Sequence, residues 1–198
     1  MNKPFADSCQ QNQEPILNVI QPLLQHCQTV LEIGSGTGQH AVYFAANMPH
    51  LHWQTSDRIE YHQGINLWLQ ESNNPNIYPP IALDVSHDEF PKQPFDAIFT
   101  ANTLHIMSKD NVSSFFQKMT ACMQANSILL AYGPFNYNGK YTSDSNVQFD
   151  RWLKSRDINS GIKDFEWLNE LANAAGLESV NDYTMPANNR ILHWNKTK

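Results

Sequence analysis

The sequence predicts an α/β fold in which a mostly parallel sheet is covered by helices. Two observations predict it. From Thr29 onward, short β-rich runs alternate with stretches of helical patterning. The first of those runs passes directly into a glycine-rich turn at residues 34–38, followed by another helical pattern. The 198 residues, 41% of them hydrophobic, suffice for one well-buried core, so a single domain spanning 1–198 is expected.

The elements follow in order. Before the first strand, Glu14-Pro15 opens a helix whose apolar positions Ile16, Leu17, Ile20, Leu23 and Leu24 recur at helical spacing. It belongs to an N-terminal helical segment of about residues 1–28, and Pro22 ends or kinks it. Strands are expected at 29–33, 52–56, 78–83, 95–101 and 127–132, with a closing pair at 179–185 and 191–195. Helical patterning covers 39–47, 61–71, 109–123 and 164–175, and Gly176 stands just past the last as a stop. Residues 133–162 break the alternation: they are rich in Asn, Ser, Asp and Gly and too long for an ordinary connection. Their aromatics Phe135, Tyr137, Tyr141, Phe149 and Trp152 predict an ordered insertion packed beside a pocket.

Composition excludes several classes. Thirteen Lys and Arg against 19 Asp and Glu leave a net charge of −6, which disfavours nucleic acid as a partner. Cys9, Cys27 and Cys122 have no paired spacing, so neither disulfides nor a metal site is expected. No apolar run approaches the length of a membrane span, and the first residues lack a signal-peptide pattern. A cytoplasmic protein without membrane attachment is expected.

Val30-Leu31-Glu32-Ile33-Gly34-Ser35-Gly36-Thr37-Gly38 carries the chemistry. Glycine is needed there because a Cβ would obstruct the turn and keep a ligand from the main chain. The same turn also serves as a tight strand-to-helix connection in any doubly wound protein. Its spacing is Gly-x-Gly-x-Gly, with Glu32 two residues upstream. That departs from the Gly-x-Gly-x-x-Gly fingerprint that a dinucleotide's pyrophosphate calls for. Acidic residues recur at the carboxyl ends of the next two strands, Asp57 and Asp84, where open α/β sheets bind ligands. Asp57 suits the hydroxyls of a ribose, and Asp84 an adenine amino group, although Asp84 taken alone reads better as a surface or capping aspartate. A nucleoside without phosphates fits this set, and S-adenosylmethionine (SAM) is the cofactor expected.

Val30 to Gly38 resembles the first motif of class I SAM-dependent methyltransferases. The strand and helix order looks like their Rossmann-like, seven-stranded sheet with an antiparallel last strand. Nearly the whole chain is similar to a small methyltransferase-like family of bacteria and animals whose own reaction and acceptor are unassigned. The matching segments are Asn12-Gln13-Glu14-Pro15-Ile16-Leu17, residues 31–40, residues 95–106, Tyr132-Gly133-Pro134-Phe135, Ser145-Asn146 with Phe149-Asp150, and Met185-Pro186-Ala187-Asn188-Asn189. The chain departs from that family at Gln11, where arginine is typical, so no anionic contact is carried over to this position. The resemblance implies cofactor contacts from Glu32, Gly34, Ser35, Gly36, Gly38, Asp57, Asp84 and Val85. It also implies Ala101 and Asn102 near the methionine end of SAM.

Methyl transfer from a sulfonium is an in-line displacement, so alignment and exclusion of water are the main tasks. His105, on the loop after the fourth strand, is the candidate base because imidazole titrates near neutral pH; a loop-anchoring histidine is the plainer alternative. His40 also stands near the cofactor or on its helix surface. Tyr132, Tyr137, Asn146 and Arg151, with Asn188 and Asn189 from the late loop, are candidate acceptor-pocket residues. Asn188-Asn189 reads equally as a turn between the last strands, since Asn tolerates left-handed backbone. Aromatic and amide groups without clustered positive charge suit a small-molecule acceptor. The leading function is methyl transfer from SAM to such an acceptor. The alternatives are a non-catalytic sensor of SAM or S-adenosylhomocysteine and, third, a nicotinamide-dependent oxidoreductase. For the N-terminal segment through Gln13 the sequence leaves two arrangements open, a lid folded over SAM or a tail trailing into solvent.

Overall fold

Strands buried on both faces lie at the centre of a parallel sheet, and the most continuously apolar runs of this chain do so. A computed structural model describes residues 3–197. The expected domain ends at residues 1, 2 and 198 lie outside the described residues. Among these, no helix is long and apolar enough to cross a membrane.

The described residues form nine strands: β1 (Thr29–Ile33), β2 (His52–Asp57), β3 (Ile77–Ala82), β4 (Phe95–Ala101), β5 (Met123–Gly133), β6 (Phe135–Asn136), β7 (Lys163–Asp164), β8 (Leu177–Thr184) and β9 (Arg190–Lys196). Seven of them make the main sheet in the order β3-β2-β1-β4-β5-β9-β8. The first five pair in parallel, and β9 runs antiparallel to both β5 and β8. This is the doubly wound sheet with an antiparallel last strand. β3 lies at an edge, which lets it carry Pro79 and Pro80 without breaking a central ladder.

Alternation along the strands splits the core into two layers. Leu31, Ile33, Ile98, Leu129 and Trp194 face helices α4 (Lys109–Met119) and α6 (Phe165–Ala174), meeting Phe115, Phe116 and Leu168. Val30, Phe99 and Leu130 face α1 (Asp7–Leu23), α2 (Gln39–Asn47) and α3 (His62–Ser72), meeting Ile16, Ile20, Phe44 and Ile65. Because the sheet is sandwiched, its ligand-binding edge is the row of strand carboxyl ends.

The structure corrects several boundaries. α1 starts at Asp7, about two turns before the expected Glu14-Pro15, and carries both Pro15 and Pro22 inside it. Each proline forfeits one helical hydrogen bond. The fully buried Ile16, Ile20 and Leu24 keep the helix seated against α2 regardless. α4 ends at Met119 instead of continuing to 123, because a turn of 3-10 helix leads Met123 into register with Phe95.

The 133–162 insertion is built around α5 (Asp144–Arg156), capped by the Ser143 hydroxyl, which accepts from Asn146 N–H. β6 and β7 pair in parallel at its ends. The buried Asp150 carboxylate ties it shut, accepting from Ile162 N–H (2.7 Å), Tyr141 O–H (2.7 Å) and Lys154 Nζ (2.6 Å).

Candidate functional site

The turn after β1 depends on glycines for three different reasons. Gly34, Gly36 and Gly38 all have φ in the left-handed range, at 74°, 59° and 90°. A Cβ at Gly34 would lie 2.7 Å from the Thr103 side chain, so this glycine seats the loop after β4. A Cβ at Gly38 would lie 3.2 Å from Ile65 Cα, so this one admits α3. A Cβ at Gly36 would meet nothing within 4 Å. Gly36 therefore borders open space at the strand ends, where a ligand's approach to the main chain needs it.

Beside that space stands Asp57. Its Oδ2 accepts from Gly36 N–H (2.7 Å) and its Oδ1 from Arg58 N–H (2.8 Å). A carboxylate has about four lone-pair sites, so two remain for a ligand's hydroxyls. Burial raises the Asp57 pKa, outweighing the two backbone N–H groups. An open cradle with a half-satisfied carboxylate fits the ribose end of SAM.

Three residues expected to touch the cofactor turn their side chains inward. Glu32 is 2% exposed, and its Oε2 accepts from Ser35 O–H (2.8 Å) and Trp53 Nε1–H (3.2 Å), which points it beneath the turn. Burial pushes its carboxyl up to about 7, against those two hydrogen bonds. Ser35 directs its hydroxyl inward to that carboxylate, and its Oγ also accepts from Ser56 N–H. Val85 is packed in the core, and its carbonyl accepts from Lys118 Nζ. Asp84 is half-buried and bonds the hydroxyl and N–H of Ser86 through one oxygen, an interaction that holds its pKa below the usual carboxylate value. The capping reading of Asp84 is thus the one its hydrogen bonds express, with its second oxygen left over.

The N-terminal segment packs across the start of α2. Ala6 N–H donates to Gln39 Oε1 (2.6 Å), and Gln39 Nε2 returns a bond to Ala6 C=O. Pro4 C=O accepts from Trp68 Nε1–H, and Phe5 stacks on the same indole. Asn12 Oδ1 accepts from His40 Nε2–H (2.7 Å), which assigns buried His40 to holding α1. Burial lowers the His40 pKa to about 4.

A cleft of about 720 Å³ opens on the other side of the loop after β4. That loop joins the two regions: Thr103 packs on Gly34 while Asn102 and His105 line the cleft. Ala101 ends β4, and Asn102 has φ of 57°, the kind of left-handed position that Asn tolerates. Tyr132, at the end of β5, and Asn146 and Asn189 also line the cleft. Burial, reinforced by Lys163, lowers His105 to about 4, so it does not titrate near neutrality as the sequence reading supposed. Its ring meets Phe149 edge-on at 5.1 Å, and its carbonyl accepts from Gly161 N–H (2.8 Å).

Other candidates are not brought to the cleft. Tyr137 donates its hydroxyl to Asp182 Oδ2 (2.6 Å) and stacks on Phe165. Arg151 is exposed on the outer face of α5. Asn188 braces the rim: its carbonyl accepts from Asn146 Nδ2, and its side chain donates to Ser145. With Ala187 it adopts a left-handed turn between β8 and β9. Sequence reasoning missed Gln11, Pro15, Ile106, Phe149 and Trp152 as lining residues. Phe149 and Trp152 carried a signal, since aromatics three apart share one side of an otherwise polar helix.

Solved structures share this architecture. The chain is similar to the apo form of the SAM-dependent methyltransferase SibL, with a TM-score of 0.81 and 19% identity over 96% of this chain and 56% of that one. It is also similar to an O-methyltransferase family protein from Burkholderia thailandensis, with a TM-score of 0.84 and 13% identity over 97% and 58%. Human N-acetylserotonin methyltransferase in complex with SAM gives 0.81 and 14% over 97% and 53%. The chain thus spans a little over half the length of these proteins, and it has the class I methyltransferase fold. A family model described as "Protein of unknown function (DUF938)" matches residues 3–196, and the chain belongs to that family.

Proposed function

We propose that this chain is a cytoplasmic SAM-dependent methyltransferase acting on oxygen, nitrogen or sulfur of a small-molecule acceptor. The whole chain acts as one cofactor-binding domain, with the 133–162 insertion as a wall of the acceptor site. One observation carries this reading: the loop of residues 102–105 touches the glycine turn on one side and lines a ligand-sized cleft on the other. The structural likeness to methyltransferases, some described with SAM, supports the same cofactor.

SAM would supply an electrophilic methyl group on a sulfonium. Gly36 would give its nucleoside access to the backbone, and Asp57 would accept from its ribose hydroxyls. Asn102, beside Ala101, would orient the methionine end. His105 is unprotonated at neutral pH, so an imidazole nitrogen is free to accept the acceptor's proton as the new bond forms. Tyr132, Asn146 and Asn189 position the acceptor, and the packed insertion excludes water.

Incubation with SAM carrying an isotopically labelled methyl group and a panel of hydroxyl, amine and thiol compounds tests this. Label should appear in an acceptor, with S-adenosylhomocysteine as co-product. His105→Phe should lower the rate about 100-fold, in the range for loss of a general base. Tight SAM binding with no labelled product from any compound would favour the sensor reading.

A further inference from the structure

The lining of the cleft has a chemical character of its own. Among the described residues it contains no Asp, Glu, Lys or Arg. Two charged groups of the surrounding elements are already committed. Lys163 donates to the carbonyls of Met107 (2.8 Å) and Gly161 (2.7 Å), and Asp150 is held by Tyr141, Lys154 and Ile162 N–H. An ionised acceptor entering here would lose water without gaining a counter-charge. The cleft instead offers flat apolar surface. Phe149 and Trp152 stack with their ring centres 5.7 Å apart and 18° between planes, and Phe149 meets the His105 ring edge-on. Trp152 remains half exposed at the mouth.

The polar groups that remain are neutral hydrogen-bonding partners. Asn102, Asn146 and Asn189 provide amides, and His105 an unprotonated imidazole. Pro15, at an interior position of α1, lacks the N–H that would satisfy the Gln11 carbonyl, and both residues line the cleft. An aliphatic amine or a carboxylate is charged near pH 7, whereas an aromatic hydroxyl, with a pKa near 10, is not.

We propose that the cleft takes an uncharged, planar aromatic molecule bearing a hydroxyl group, and that the hydroxyl oxygen is the atom methylated. The reaction rests on the methyltransferase reading above; the binding preference does not. In the transfer, an oxygen lone pair forms the bond to the methyl carbon. The carbon–sulfur bond breaks with its electrons going to sulfur, and the hydroxyl proton passes to an imidazole nitrogen of His105 and then to solvent.

Calorimetric titration with three probes of similar size tests the preference: naphthol, the naphthoate anion and saturated decalinol. Each is run with and without S-adenosylhomocysteine. Naphthol should bind about tenfold more tightly than either of the others. Trp152→Leu, at a half-exposed position that spares the fold, should weaken naphthol about fivefold and leave decalinol unchanged. Naphthoate or decalinol binding as tightly as naphthol, no naphthol binding, or an unaltered naphthol affinity in Trp152→Leu would each overturn the proposal. A chain that binds naphthol selectively but not S-adenosylhomocysteine would overturn the methyltransferase reading and leave the cleft's preference standing. The reverse pattern would overturn only the latter.

Discussion

The glycine turn and the cleft lie on either side of one loop, yet they are built in opposite ways. The turn is a product of nine consecutive residues and one carboxylate, with backbone φ values and N–H groups fixing its shape. The cleft is assembled from α1, the loop after β4, the end of β5, α5 and the turn before β9, and side chains fix its shape. A backbone-built site is constrained by sterics and tolerates little change, whereas a side-chain-built one can alter its ligand without disturbing the fold.

Substitution within the turn gives the largest expected effect on stability. Gly34→Ala combines left-handed strain with a collision against buried Thr103, for a loss of about 2–4 kcal/mol in urea unfolding. Gly36→Ala faces open space and should lose only about 1–2 kcal/mol from backbone strain. Equal losses at the two positions would break the distinction between the glycine that seats a loop and the one that borders ligand space.

Acidification separates the two regions by sign. Glu32, under the turn, has its folded pKa raised to about 7, so its contribution is fully present below its unfolded value and is lost as pH rises through 7. His105, in the cleft, has its folded pKa lowered to about 4, so its contribution is present above its unfolded value near 6.5 and is lost as pH falls towards 4. Between pH 7 and 5, Glu32→Gln should therefore make melting temperature fall more steeply on acidification than in the parent. His105→Gln should make it fall less steeply. Parallel curves for both variants would remove this electrostatic contrast.

A smaller effect marks the outer limit of the cleft. Tyr137→Phe removes one hydrogen bond to Asp182 and should lose about 1 kcal/mol of stability. Acceptor turnover should be unchanged, because Tyr137 points away from the cleft. A clear fall in turnover at preserved stability would extend the acceptor site to this side.

The same contrast explains what the sequence disclosed. The strands and the turn were legible because short β-rich apolar runs and glycine spacing are local, and β1 passes directly into its glycine turn. Asp57 was legible as a strand-end acid. The inward direction of Glu32 was not legible, because spacing places a residue near a turn without saying which side its carboxylate faces, and here Trp53 and Ser35 draw it inward. The start of α1 was missed because residues 7–14 are polar, with no apolar period, and are held by tertiary contacts such as Asn12 with His40. Tyr137 and Arg151 were misassigned for a related reason. The insertion's composition predicted order, but which residues face inward depends on a fold closed by Asp150.

The most direct test of the account is calorimetric titration of the protein with SAM and S-adenosylhomocysteine, repeated for Asp57→Ala and Gly36→Val. The parent should bind both at micromolar affinity or tighter. Asp57→Ala, losing charge-assisted bonds to the ribose, should weaken it about 100-fold or more. Gly36→Val, placing a branched side chain in the ligand space, should abolish it while the variant remains folded by circular dichroism. Absence of binding by the parent, or undiminished binding by both folded variants, would contradict the assignment of the cofactor to this turn.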